Sequence, residues 1–152
     1  MATYTLRREQ FVPRPLEEVF AFFSDAANLQ KITPSWLNFQ IVTAGPIDIH
    51  PGTLLDYRLK WHGLPIAWRT RIETWNPPHV FTDVQIRGPY RLWHHTHTFS
   101  AEAGGTRMRD VVDYQMPFGI LGAIAYRFGV RRDLERVFDY RQRVIASLFP
   151  AG

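Results

Sequence analysis

A run of alternating strands closed by one long amphipathic helix limits what this chain can fold into. Near the C-terminus, Val130, Leu134, Val137, Phe138, Val144, Ile145 and Leu148 share one side at helical spacing. Arg141 falls in the middle of that apolar stripe, while Arg132, Arg136, Asp139 and Arg143 take the opposite side. Before it, Thr53 to Trp61 alternates Leu55, Tyr57, Leu59 and Trp61 against Asp56, Arg58 and Lys60. Ile66 to Trp75 sets Ile66, Trp68, Thr70 and Ile72 against Arg69, Arg71 and Glu73. An antiparallel meander of this kind has one face to cover, and a single helix can cover it if the sheet curls around it. A curled sheet and one helix do not fill their shared interior, so a cavity is expected.

The remaining elements fit the same plan. Tyr4 to Val12 reads as a first strand, stopped by Pro13-Arg14-Pro15. Leu16 to Phe23 follows as a helix with acids in its first turn, where they favour the helix dipole. Asp25 to Ile32 reads as a second short helix that ends before Pro34. Phe39 to Thr43 and Val80 to Arg87 are further strands. Ala103-Gly104-Gly105 makes a hairpin turn into a last strand, Thr106 to Tyr114. The whole of 1–152 is expected to form a single domain, as its length suits one core.

The strand after the Gly88-Pro89 turn carries the most unusual face. Alternation places Trp93, His95, His97 and Phe99 on one side and Tyr90, Leu92, His94, Thr96 and Thr98 on the other. A purely structural sheet face would carry Val, Ile or Leu in place of two imidazoles. On the strand before it, the parity Phe81, Asp83, Gln85 and Arg87 competes with Val80, Val84 and Ile86, and periodicity alone does not choose. On the last strand, Met108, Asp110, Val112 and Tyr114 form the more apolar side, so Asp110 is expected to face inward.

Composition removes several classes of function. With no cysteine, disulfides, thiolate metal sites and cysteine nucleophiles are excluded. That fits a reducing cytoplasm, and the N-terminus lacks the apolar core of a signal peptide, so a cytoplasmic location is expected. The net charge is +4, yet no helix-turn-helix, zinc finger or basic tail accompanies it, so no nucleic-acid partner is expected. There is no serine elbow, P-loop or dinucleotide fingerprint. His95 and His97 have the spacing of a strand metal site, and Asp83 or Asp110 is a possible further ligand. Strand histidines more often donate to carboxylates or hydroxyls, so no metal and no cofactor are assigned.

Several segments together resemble the START-like (SRPBCC) superfamily, the helix-grip domains of polyketide cyclases, lipid carriers and the plant Bet v 1 type. The resemblance runs through Val12-Pro13-Arg14-Pro15-Leu16-Glu17-Glu18-Val19-Phe20 and Ser24-Asp25-Ala26-Ala27-Asn28-Leu29. It continues in Trp75-Asn76-Pro77-Pro78 with Phe81, Asp83 and Gln85, and in Gly88-Pro89-Tyr90, Trp93, His95, His97 and Phe99. Thr106, Asp110, Tyr114 and Phe138-Asp139-Tyr140-Arg141 agree with a bacterial ligand-binding branch. The resemblance implies an α+β helix-grip fold. A curved antiparallel sheet of about seven strands would wrap a long C-terminal helix, with two short helices after the first strand. It favours Phe81, Asp83 and Gln85 as the inward set. It transfers no catalytic residue, because the superfamily hosts carriers, receptors and cyclases alike.

The expected function is therefore binding or carriage of a small hydrophobic ligand: a lipid, isoprenoid, or aromatic or polyketide-like molecule with a polar or acidic group. Trp68, Trp93, Phe99 and Phe138 would supply apolar contact, and Asp83, Gln85, His95, His97, Asp110 and Arg141 a polar floor. A closed structural network of Arg141, Asp83 and Asp110 is the competing account of the same residues. A cyclase- or dehydratase-like enzyme using His and Asp for acid–base work is the functional alternative. Met116 to Ala125 reads most simply as a mobile lid, or as a membrane contact helped by Arg127, Arg131 and Arg132, with ordinary packing the favoured account. Outer-face arginines of the long helix are expected to pair with Asp133, Glu135 and Asp139. A monomer or weak homodimer is expected.

Overall fold

In the computed structural model, which describes residues 2–151, seven antiparallel strands form one sheet. They are β1 (Tyr4–Val12), β2 (Gln40–Ile41), β3 (Leu54–Trp61), β4 (Leu64–Asn76), β5 (Val80–Arg87), β6 (Leu92–Glu102) and β7 (Gly105–Gln115). The order across the sheet is β1-β7-β6-β5-β4-β3-β2. Each of β3 to β7 pairs with its sequence neighbour, and the first strand closes onto the last. The β6–β7 turn relies on Gly104, whose φ of 83° lies in the left-handed region. Two register shifts in the β4–β5 ladder, at Arg69/Thr70 and Ile72/Thr74, bend the long β4 strand. Strand β2 keeps only two residues of the longer segment expected from 39–43.

Helix α1 (Leu16–Phe23) follows β1 as expected and buries Leu16, Val19 and Phe20. The second short helix is a 3₁₀ segment, Ala26–Ile32, with the Asp25 carboxylate accepting from the Ala27 N–H at 3.0 Å. A further 3₁₀ turn spans Ser35–Leu37.

Most of Met116 to Ala125, the segment read as a lid, a membrane contact or ordinary packing, is helical. Helix α2 (Gly119–Ala125) runs through a π-helical turn, Tyr126–Val130, into α3 (Arg131–Leu148). Gly122 makes this packing possible, because a Cβ there would land on the Pro117 carbonyl oxygen. Of the apolar stripe, Val130, Phe138 and Ile145 are buried, while Leu148 is exposed.

Two apolar clusters divide the concave face. One gathers Val12, Val19, Phe20, Phe81, Phe99, Met108 and Ile145 under α1. The other gathers Trp93, Val112, Tyr114 and Phe138, with Tyr4, Trp68 and Tyr90 packed against it. The sheet residues between them are His95, His97, Asp83 and Asp110.

Candidate functional site

Cross-strand register brings the polar residues together. Asp83 on β5 lies directly opposite His95 on β6, and His97 lies opposite Asp110 on β7. The hydrogen bonds run along the diagonals instead. His95 Nε2–H donates to Asp110 Oδ1 at 2.8 Å, and His97 Nε2–H donates to Asp83 Oδ2 at 2.7 Å. The two imidazole rings stack with centroids 3.7 Å apart, and Phe81 stacks on His97 at 4.1 Å.

Geometry assigns the protons. His97 Nδ1 also lies 3.2 Å from Asp110 Oδ1, so both its ring nitrogens face carboxylate oxygens that can only accept. That arrangement favours the protonated, imidazolium form of His97. His95 Nδ1 lies 4.0 Å from the nearest Asp83 oxygen, so its one hydrogen bond requires only the neutral ring. The electrostatics agree. Burial alone would push the His97 proton off, but its bonds to Asp110 and Asp83 outweigh burial and raise its pKa. For His95 burial wins, with help from the neighbouring His97 charge, and the pKa falls. Burial would raise both carboxyls. The His97 bond holds Asp83 below its ordinary range, and bonds from His95 and His97 hold Asp110 further below. Two carboxylates, the His97 cation and Arg141 then sum to zero charge, which is what a buried group of this size requires.

Arg141 is the member that does not close the network. The ion pairs of Asp83 and Asp110 run to the two histidines. The Arg141 Nε is buried without a hydrogen-bond partner among the described residues. Its guanidinium lies over the Phe138 ring at 4.7 Å. Burial lowers its pKa, opposed by the charges of Asp110 and Asp83.

Above this floor lies a cavity of about 750 Å³, within the range of small-molecule sites. Trp68, Asp83, Trp93, His95, His97, Phe138 and Arg141 all line it. Three residues expected in the site sit elsewhere. Phe99 shares the inward face but packs edge-on against Phe20 in the cluster beneath α1. Gln85 turns to the β5–β6 loop, donating to the Tyr90 carbonyl at 2.7 Å and accepting from the Tyr90 N–H at 3.1 Å. Asp110 stands behind the histidines and orients them without lining the cavity. The trio Asp83, His95 and His97 offers potential metal-ligand atoms within 4.8 Å of one another. Its His97 and Asp83 atoms already bond each other, so a cation would compete with that bond.

A family described as polyketide cyclase / dehydrase and lipid transport matches residues 12–139. The chain belongs to this family. Its fold is shared by protein CV1439 from Chromobacterium violaceum, at 14% identity and a TM-score of 0.75, over 97% of this chain and 98% of that one. Ara h 8.0201 is similar at 14% identity and a TM-score of 0.63, covering 96% of this chain and 99% of its own. The di-domain ARO/CYC StfQ of the steffimycin biosynthetic pathway is similar at 14% identity and a TM-score of 0.74. That match covers 97% of this chain and 50% of StfQ. No curated protein matches the sequence. A family that spans cyclases and lipid transport proteins is consistent with a ligand-binding fold of this shape.

The polyketide cyclase and lipid transport fold also carries a contact that sequence reasoning missed. At the β3–β4 hairpin, Trp61 Nε1–H donates to Asp133 Oδ2 at 2.7 Å, and His62 Nε2 meets the same oxygen at 2.8 Å. Asp133 is buried, so it is not part of the expected outer ion-pair face. Glu135 does pair with Arg131, whereas Asp139 reaches across to Arg8 on β1. The sequence signal for the hairpin latch is the Trp61-His62-Gly63 turn, where His62 adopts a φ of 48° in the structure.

Proposed function

We propose that this protein binds and carries a small hydrophobic molecule bearing an acidic group. The observation that carries this reading is Arg141, a cavity-lining cation whose Nε has no partner among the described residues. A planar guanidinium in a desolvated site suits a carboxylate or similar anion. Trp68, Trp93 and Phe138 supply the apolar walls, which fit acyl, isoprenoid, aromatic or polyketide-like ligands. Asp83, His95 and His97 set the orientation of polar substituents. The lipid transport named in the family's description supports a carrier.

The test is a fluorescent polyene fatty acid titrated beside its methyl ester. The acid binds about tenfold or more tightly, and Arg141→Met brings it down to the level of the ester. Native mass spectrometry of the purified protein then identifies what co-purifies. If acid and ester bind alike to both proteins, the anion reading is wrong, and if neither binds, the carrier reading is wrong.

One observation favours an enzyme as the second reading. His95 is neutral, faces the cavity and is oriented by Asp110, which is the arrangement of a general base. The ARO/CYC name of StfQ points the same way. Turnover of a polyketide-like substrate lost in His95→Gln, with binding kept, distinguishes the two.

A further inference from the structure

Helix α2 has two apolar sides, and only one of them has a partner. Its inner side closes the cavity through Leu121, Gly122 and Ala125. Its outer side is bare. Ile120 is 81% exposed and Phe128 79%, with Ile124 about half exposed, while Phe118 (82%) and Leu121 (72%) stand at the edge between the two sides. Ile120 and Ile124 lie one turn apart on α2, and Phe128 follows in the π-helical turn. A cluster of large apolar side chains this exposed marks an interaction surface.

Arginines flank the cluster. Arg127, Arg131 and Arg132 are all exposed in the turns that follow. Of these, Arg131 pairs with Glu135, and no acidic group within the stretch 118–132 offsets them. Apolar anchors beside several arginines complement an anionic lipid bilayer. No helix among the described residues is long and apolar enough to cross a membrane, so the contact lies on the surface.

Position adds the second argument. Phe118 and Leu121 both line the cavity and stand open to solvent, so they mark its mouth. Phe118 reaches this position in the left-handed region, with φ of 65°, and Gly119 follows at 54°.

We propose that α2 docks the cavity mouth onto an anionic membrane surface, with Ile120, Ile124 and Phe128 entering the headgroup layer and Arg127 and Arg132 meeting lipid phosphates. This inference does not depend on what the cavity holds.

The experiment is co-sedimentation of the full chain with ligand-free vesicles. Phosphatidylcholine vesicles with phosphatidylglycerol are compared with pure phosphatidylcholine. Binding to the anionic vesicles is expected, and it weakens as salt rises. The double variant Ile120→Ser/Phe128→Ser lowers partitioning at least about tenfold. Arg127→Gln and Arg132→Gln each lower it about fivefold on anionic vesicles and leave neutral ones unaffected. All four positions are exposed and none lines the cavity, so an unchanged melting temperature and unchanged uptake of the polyene acid check each fold. Absence of binding to the anionic vesicles overturns the proposal. So does equal binding to both vesicle types. A dimer in sedimentation velocity that the double variant converts to monomer also overturns it, because the face then covers a second copy.

Discussion

His95 and His97 stack ring on ring at 3.7 Å, yet their pKa values shift in opposite directions. His97 sits between two carboxylates and keeps its charge, while His95 touches one and gives its charge up. The pair makes the stability of the protein depend on pH from both sides. The raised His97 pKa contributes stability that is complete below the ordinary imidazole value, about 6.5, and is lost as pH rises through the folded value. The lowered His95 pKa contributes stability that is complete above that value and is lost as pH falls. Urea midpoints across pH 5 to 9 should therefore peak near about 6.5. His97→Gln flattens the alkaline side and His95→Gln the acid side. A profile that is flat through this window contradicts the assignment.

Asp110 holds both histidines, and its side chain is only 8% exposed. Asp110→Asn keeps the shape but removes the charge that balances His97. The expected cost is about 3 kcal/mol in urea denaturation. Imidazole chemical shifts should show His97 titrating at lower pH than in the parent. A variant that loses stability without moving His97 would mean the aspartate acts by packing alone.

Arg141→Met makes a contrasting prediction. The desolvation cost of a buried guanidinium whose Nε has no hydrogen-bond partner offsets the charge balance it lends Asp83 and Asp110, so the change should lie within about 1 kcal/mol of the parent. A loss as large as that of Asp110→Asn would place Arg141 inside the structural network after all.

Asp133 fastens the β3–β4 hairpin to the start of α3 through Trp61 and His62. Asp133→Ala breaks both contacts and should cost about 2 kcal/mol. The hairpin forms one end of the cavity wall, with Trp61 and Leu64 among its lining. Hydrogen exchange of residues 59–66 should accelerate while β6 and β7 stay protected.

Gly122→Ala is the last prediction. The added methyl meets the Pro117 carbonyl, and the backbone cannot yield as a flexible side chain would. Helix α2 must move outward, lowering the melting temperature by several degrees. The polyene acid should also dissociate faster, as the helix closes the cavity.

Much of this architecture is legible in the sequence because strands report their own faces. Period-two alternation puts Trp93, His95 and His97 on one side, and parity does the same for Asp110. Parity gives a face, however, and says nothing of position along the strand. Gln85 and Phe99 share the right parity and still lie beyond the cavity, one at a loop and the other beneath α1. Asp133 was hidden for a different reason. Its helical neighbours are charged, and only the reach of a hairpin seventy residues earlier buries it. The glycines at 119, 122 and 129 argue against helix by propensity, yet Gly122 is what lets α2 seat. A π-helical turn also inserts extra residues that no helical wheel anticipates.

The pairing of β1 with β7 has a consequence for how the chain is made. Tyr4 aligns with Tyr114 and Val12 with Thr106, partners about a hundred residues apart. During synthesis the first strand leaves the ribosome long before its partner exists. It must wait as an unpaired edge until the whole meander has followed. Closing so long a loop is slow, because its entropy is spent before any ladder bond repays it. Until β7 is made, the unpaired first strand is where a folding helper or an aggregating neighbour would find its opportunity.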